Sequence, residues 1–401
     1  MGLYFLNRDL SGGGAERVML RLLDRLPVRR LILLEEALDY ALDGERVSFL
    51  SPRFLSRPIL VDNFKYLCTL VWGRSLSREL SPGDTVVSFS DRAHLVNAWA
   101  KLFCRHTAVI SVHSLVLDER SESGVGRMSP WRSRLYSRGD LLLAVSGRVK
   151  LSLVLSGIPE DKIRVLPNPI DVDSIRGMAE EEVEEVFEGI PFVVNVARLG
   201  KEKGHRYLLA AFRELRERRP EVRLLLIGKG ALKDDLVRLS ESMNLRTYVW
   251  DRDELTQDFD VYFLGFRENP FKYVSRARLF VLSSLHEALP NVILESLACG
   301  VPVVSVDCPS GPREILAPDT DFNSVAEGVE FCRYGVLTPP FRSSMGEDGL
   351  SRASSELARA MEALLEDEGL RSRYSSLGLR RAREFDCERV IGLWREVLGL
   401  S

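Results

Sequence analysis

Short apolar runs alternate with amphipathic stretches along the whole chain. Leu31–Leu34, Thr85–Phe89, Ala108–Val112, Leu141–Val145, Phe192–Val196, Arg223–Ile227, Val261–Leu264, Leu279–Leu282 and Val301–Val306 are rich in Val, Ile, Leu and Phe and predict buried strands. Helical periodicity follows several of them, at Ala15–Leu26, Arg206–Arg218 and Leu232–Met243. Strands apolar on both faces suit a parallel sheet covered by helices, so this βαβα rhythm predicts an α/β fold. Cys387–Leu398 has the period of an amphipathic helix, with Val390, Ile391, Trp394 and Val397 on one side.

The rhythm breaks near 170–191. Pro167-Asn-Pro169 stops the preceding strand, and Phe192 opens a fresh one. Between them, Glu180-Glu-Glu-Val-Glu-Glu reads as a solvated helix face. A chain of 401 residues is long enough for two ordinary domains. Two stretches read as long loops, Asp118–Arg138 with its Ser, Gly and Arg, and Asp319–Gly349 with its Ser, Pro and Gly.

Composition narrows the function classes. The chain is 45% hydrophobic and 28% charged, which is ample for a packed core. Its net charge of −3 argues against nucleic acid as a partner. Residues 1–180 carry 25 Lys+Arg against 21 Asp+Glu, whereas the remainder carries 30 against 37, so an anionic acceptor or membrane surface suits the first half better. The six cysteines show no C-x-x-C pairing and read as thiols in a reducing compartment. Met1 leads straight into the strand-like Leu3-Tyr-Phe-Leu6 with no signal-peptide pattern, and no apolar run approaches the ~18–20 residues of a membrane span. The expectation is a cytoplasmic protein, with attachment to the inner face of the cell membrane left open.

The chemistry concentrates after strand-like runs. Glu287-Ala-Leu-Pro-Asn-Val-Ile-Leu-Glu295 places one carboxylate at a strand end and a second about one turn into a helix. Pro290 suits the first helical turn, and the amide groups around Pro290, Asn291 and Val292 make an anion site. Arg198 and Lys203 follow another strand and can converge on one anion, where Arg offers a bidentate grip. Gly12, Gly13 and Gly14 separate the first strand from a helix and let backbone approach a ligand. No Gly-Lys-Ser/Thr follows, so this is not a P-loop. Gly228-Lys-Gly230 lacks the third glycine of a dinucleotide fingerprint, since Lys233 stands in its place. His113 ends a strand, where open α/β sheets bind ligands. Asp171-Val-Asp173 carries a metal-binding pattern but lies between the domains, so it reads as a linker and no metal site is expected.

These pieces resemble the retaining glycosyltransferases of family 4, which have the GT-B fold. Glu287 and Glu295 match that family's Glu-x7-Glu motif, Ser11–Arg17 its glycine loop, and Asn195–Gly204 its phosphate-binding Arg…Lys loop. Leu226–Gly230, Phe263–Phe266 and Val301–Ser305 fall in the expected order, and the whole is similar to bacterial and archaeal enzymes of polysaccharide and lipid-linked glycan synthesis.

The resemblance implies two Rossmann-like domains with parallel sheets facing across a cleft. The acceptor-side domain would be 1–172, with a helix at about 386–401 packing back on it. Residues 173–191 would be the linker and 192–385 the nucleotide-sugar domain. Glu287, Arg198, Lys203 and His113 become catalytic candidates. Glu295, Gly13, Gly14, Gly228, Gly230, Phe266, Arg267, Ala288, Leu289, Pro290, Asn291 and Val292 become donor-binding candidates. Glu295 would hold the ribose hydroxyls, and Phe266 and Arg267 would line the nucleobase pocket. Ala288 departs from the more usual glycine, and Ser114 from the acid often found after the histidine.

The implied reaction moves a hexose or N-acetylhexosamine from a UDP-linked donor, with retention, to a glycan or polyprenyl-linked acceptor. It needs no cofactor. Segments 59–80 and 127–138, basic and aromatic, are candidates for peripheral membrane contact. A UDP-sugar epimerase of the same fold and a non-catalytic nucleotide-sugar-binding module are the alternatives.

Overall fold

The computed structural model describes residues 1–10, 13–36, 46–50, 68–116, 126–341 and 347–400. The described chain forms two compact units, one holding residues up to 118, 125–169 and 388–401, the other 170–387.

In the first unit, seven strands run in the order β3-β2-β1-β4-β5-β6-β7, all parallel. They are β1 (Leu3–Asn7), β2 (Val28–Leu33), β3 (Val47–Phe49), β4 (Thr85–Ser88), β5 (Thr107–Val112), β6 (Leu141–Ala144) and β7 (Ile163–Val165). The helices between them are α1 (Gly14–Leu23), α2 (Thr69–Glu79), α3 (Asp91–Ala100), α4 (Pro130–Tyr136) and α5 (Gly147–Leu155). Central strands are covered on both faces, and Phe5, Leu6, Val86, Val87 and Ile110 are fully buried.

The second unit opens with α6 (Val172–Ala179) and holds β8 (Phe192–Val196), α7 (His205–Arg218), β9 (Arg223–Ile227), α8 (Lys233–Ser242), β10 (Thr247–Val249), β11 (Val261–Gly265) and α9 (Phe271–Val274). It continues through β12 (Leu279–Leu282), α10 (Asn291–Ala298), β13 (Val303–Val306), α11 (Pro312–Leu316), β14 (Glu330–Phe331), β15 (Val336–Thr338), α12 (Glu347–Glu366) and α13 (Glu368–Arg383). Its sheet order is β10-β11-β9-β8-β12-β13-β15-β14, parallel except for β14 against β15. The order reverses direction between β8 and β12, which makes the crevice beyond their carboxyl ends the natural ligand site of such a sheet. Leu208, Phe212 and Leu215 of α7 and Leu357, Met361 and Leu364 of α12 fill one face of the core.

The last helix, α14 (Cys387–Leu398), packs on the first unit from Glu388 onward. Val390, Ile391 and Trp394 are buried, and the Trp394 ring stacks on Phe89 with centroids 6.3 Å apart. Residues 173–191, expected as a linker, carry most of α6 and fall within the second unit.

Three local expectations need correction. The Glu180–Glu185 run does not continue a helix, because α6 ends at Ala179 and only Glu185 enters a short 3₁₀ turn over Glu185–Phe187; crowded like charges disfavour a continuing helix. Asp319–Gly349 is no simple loop, since it contains β14, β15 and the start of α12. Strands of two and three residues carry no periodic signal. Asp118–Arg138 likewise contains α4, opened by Pro130 in its first turn. The described part of 59–80 begins at Cys68, and α2 buries Trp72 and Leu76 while leaving Leu70 and Val71 exposed.

Candidate active site

Lys203 and Glu287 come together at the β8/β12 switch point, although 84 positions separate them in the sequence, and Arg198 lies on the same loop as Lys203. The loop after β8 closes in a 3₁₀ turn over Lys201–Lys203. Gly204 then adopts a left-handed conformation (φ 66°), and a Cβ there would lie 2.0 Å from the Ser283 carbonyl oxygen. That close approach is what brings the loop after β12 alongside. The Ser283 hydroxyl donates to the Lys203 carbonyl (2.9 Å), and the Leu285 amide donates to the Glu202 carbonyl (2.8 Å).

Stapled in this way, Lys203 Nζ sits 2.7 Å from Glu287 Oε1, with side chains 20% and 13% exposed. The Ser284 hydroxyl donates to the same carboxylate oxygen at 2.7 Å. Arg198 stands at the rim, 73% exposed, with Nη2 3.3 Å from Glu202. Burial pushes the nearby Cys308 thiol up well above its ordinary range, with Glu287 and Asp307 adding and Lys203 opposing.

Gly228 ends β9 with φ 147°, and a Cβ there would lie 1.9 Å from the Ala197 carbonyl oxygen. Its amide donates to the Gly265 carbonyl at 2.8 Å. Gly230 presses on the Leu199 backbone. Both glycines therefore hold the loop of Arg198 tightly against its neighbours. The loop Ala288–Leu289–Pro290 is braced from behind, where Ser310 donates its hydroxyl to the Ala288 carbonyl (2.7 Å) and the Glu287 amide reaches the Pro309 carbonyl (3.4 Å). Pro290 is the cap of α10 rather than its first residue, so Asn291 and Val292 begin the helix and place its positive end beside Glu287.

Glu295 lies further along α10 at 5% exposure. With Val292 and Ser296 it borders a cavity of about 10 Å³ otherwise lined by Val196, Pro270, Phe271, Val274 and Phe280. That is room for roughly one water. After β11, Phe266 is 54% exposed, whereas Arg267 approaches Glu184 at 3.9 Å. Glu184 also accepts the Tyr273 hydroxyl at 2.7 Å, and burial with that contact pushes the phenol's pKa up. Arg267 is thus held toward α9.

In the first unit, Gly13 caps α1 and the Glu16 carboxylate folds over it, while Gly14 begins the helix; Gly12 lies outside the described residues. His113 ends β5, its Nε2 2.9 Å from the Ser111 hydroxyl and its ring 5.8 Å from Phe89. Burial pulls its pKa down to about 4, opposed by Asn168, so it is a neutral imidazole.

Several groups at these strand ends escaped the sequence reading. Ser284 is a hydroxyl two residues past an apolar strand end, and His205 is almost wholly buried directly after the Lys203 loop. Arg92 and Glu35 form a buried pair after β4 and β2. The strand-end rule would have flagged Ser284, Arg92 and Glu35 but not His205, which opens α7. Asp171 caps α6 through the Ser174 amide (3.0 Å), and Asp173 pairs with Arg383 (2.6 Å), which accounts for the Asp-x-Asp pattern. Among the described residues, no group of His, Cys, Asp and Glu is arranged to hold a metal ion.

Residues 12–174 match the family described as Glycosyltransferase Family 4, and residues 190–333 match Glycosyl transferases group 1. An uncharacterized glycosyltransferase of Methanocaldococcus jannaschii is 35% identical over 245 residues, which is 59% of this chain and 57% of that protein. The N-acetylgalactosamine-N,N'-diacetylbacillosaminyl-diphospho-undecaprenol 4-alpha-N-acetylgalactosaminyltransferase of Campylobacter jejuni is 28% identical over 94% of each chain. HepE of Anabaena, solved with UDP and glucose, superposes with a TM-score of 0.74 at 21% identity, over 100% of this chain and 99% of that one.

The chain has the GT-B fold and is related to the glycosyltransferases of family 4. The two family matches fall on the two units of the glycosyltransferase, the second covering Arg198, Lys203, Glu287 and Glu295.

Proposed function

We propose that this glycosyltransferase moves a hexose or N-acetylhexosamine from a UDP-linked donor, with retention of configuration, to a glycan or lipid-linked glycan acceptor. The observation that carries the reading is the contact of Lys203 with Glu287 just before the start of α10 at the switch point of the second sheet, with Arg198 on the same loop as Lys203. Departure of a nucleoside diphosphate builds negative charge on its leaving oxygen. Lys203 and the helix dipole are fixed positive groups that meet this charge, with the exposed Arg198 on the same loop, so the transfer needs no metal.

Glu287 faces the sugar hydroxyls, Glu295 the ribose, and Phe266 offers an exposed ring to the base. Ala288–Val292 surround the phosphates, and Gly228 and Gly230 hold the floor of the site. Arg267, held by Glu184, shapes the edge of the base pocket. The first unit takes the acceptor, and Gly13, Gly14 and His113 are its candidate ligand contacts.

UDP accompanies HepE in its structures, and the Campylobacter relative's name specifies an undecaprenyl diphosphate-linked acceptor. Those two likenesses support the UDP and lipid-linked choices. No helix among the described residues is long and apolar enough to cross a membrane. Peripheral contact at the inner face is supported by exposed Leu70, Val71, Leu102 and Phe103, with the Arg74 guanidinium 5.7 Å from the Phe103 ring. Exposed Trp131, beside Arg127 and Arg134, adds a second such patch.

The test is a thermal-shift and product screen with UDP-, GDP- and ADP-sugars, run with EDTA and with Lys203→Ala and Glu295→Ala. Stabilisation by UDP-sugars that both variants abolish, followed by acceptor-dependent transfer, is expected. Isomerised sugar without acceptor would favour an epimerase. Stabilisation by a donor with no transfer to any acceptor would favour a binding module, and no stabilisation by any donor would overturn the donor site.

A further inference from the structure

Lys203 and Glu287 satisfy each other. Their contact is short (2.7 Å), and both side chains are mostly shielded from water, so solvent screens the attraction poorly. Glu287 has a second donor in the Ser284 hydroxyl, which carries no charge. The backbones that carry both side chains are held in place: the Lys203 and Glu202 carbonyls accept from the Ser283 hydroxyl and the Leu285 amide, the Glu287 amide donates to the Pro309 carbonyl, and the Ala288 carbonyl accepts from the Ser310 hydroxyl.

An anion that seeks Lys203 therefore meets a carboxylate already there. To take the ammonium it must displace Glu287, which would be left charged, 13% exposed and without its cation. A polyol changes that outcome, because sugar hydroxyls donate hydrogen bonds to a carboxylate. A ligand with both a diphosphate and a sugar replaces both halves of the pair at once. A nucleoside diphosphate alone replaces only one.

We infer that Glu287 is an internal competitor of the nucleoside diphosphate for Lys203, relieved only when the sugar half of the donor is present. This rests on the donor-site reading above and adds a direction to it. The enzyme discriminates between its donor and its own leaving group. Once the sugar has departed, Glu287 recaptures Lys203 and helps expel the spent nucleotide.

The experiment is titration calorimetry of the full chain with UDP, GDP and ADP and with their glucose conjugates. Wild type, Glu287→Gln, Glu287→Asp and Lys203→Ala are compared. Glutamine keeps the shape and removes the charge; aspartate keeps the charge but withdraws it from Nζ. Both variants are expected to bind the nucleoside diphosphate about ten-fold tighter than wild type, in line with the loss of one partly shielded charge contact. The sugar conjugate should gain much less, so the gap between the two ligands narrows. Thermal unfolding confirms that each variant folds, and either one suffices. Lys203-dependent nucleotide binding that is unchanged or weaker in the folded Glu287 variants would overturn this inference and leave the donor site standing. Binding by none of the three nucleotides, or binding indifferent to Lys203→Ala, would overturn the donor-site reading and the inference with it.

Discussion

Lowering the pH from 7 to 5 should destabilise both units through histidines buried in the neutral form. His94 on α3, 3% exposed, bonds the Ser88 hydroxyl at 2.9 Å, and its pKa is pulled down from 6.5 to about 3. Burial is the main cause, reinforced by His113 and Arg132 and opposed by Asp91. His205, 2% exposed with both ring nitrogens lacking a partner, is pulled down to about 4 by burial and Lys203, against Glu202. In the unfolded chain both titrate at their ordinary value. Between pH 6.5 and about 4 the unfolded state therefore binds protons that the folded state does not, and stability falls as pH falls. At ~1.36 kcal/mol per pH unit, each histidine costs about 2 kcal/mol at pH 5. For a unit of this size that is a drop of roughly 4–8 °C in Tm. His113 and His106 shift in the same direction, so the first unit should fall more steeply. Calorimetry at pH 7, 6 and 5, with hydrogen exchange to read each unit, measures it. His205→Asn should flatten the profile of the second unit only. A stability constant from pH 7 to 5, or an undiminished slope in His205→Asn, would refute the argument.

Replacing Lys203 by Met should lower transfer ~10²–10³-fold by removing a fixed charge from the leaving oxygen, read as kcat/KM with a UDP-sugar. Gly228→Ala forces a Cβ against the Ala197 carbonyl and shifts the Arg198 loop, so donor affinity should drop at least about ten-fold, with roughly 1–3 kcal/mol of destabilisation in urea. Arg313 and Asp307, 5% and 3% exposed and 2.6 Å apart, form a buried pair; Arg313→Ala strands the carboxylate and should cost the second unit about 3–5 kcal/mol in urea unfolding. Trp394→Ala should destabilise the first unit by about 3–5 kcal/mol, visible as lost exchange protection around Phe89.

Long buried strands were legible because runs of three or more consecutive apolar residues bounded by turn signals leave little else to be. Phe192–Val196, Arg223–Ile227 and Leu279–Leu282 form as their runs predict. Edge strands such as β3, β10 and β14 were not legible, being too short to show a period and shaped by their neighbours. At the site, residue types and strand-end positions pointed to Arg198, Lys203 and Glu287. Their meeting is fixed by sheet order, which puts β8 beside β12 despite the intervening βα units, and no local pattern encodes that. The direct ammonium–carboxylate contact was likewise invisible, because it depends on Gly204 lying against the Ser283 carbonyl.

The placement of α14 bears on how the protein is made. A ribosome releases most of the first unit early, then the whole of the second, and only afterwards the helix that covers Phe89. During that interval the bed for Val390, Ile391 and Trp394 is bare apolar surface, while the second unit has every residue it needs to fold. The earlier-synthesised unit is therefore the later to mature. The nascent chain should be most prone to aggregate, and most in need of a chaperone, just before α14 emerges.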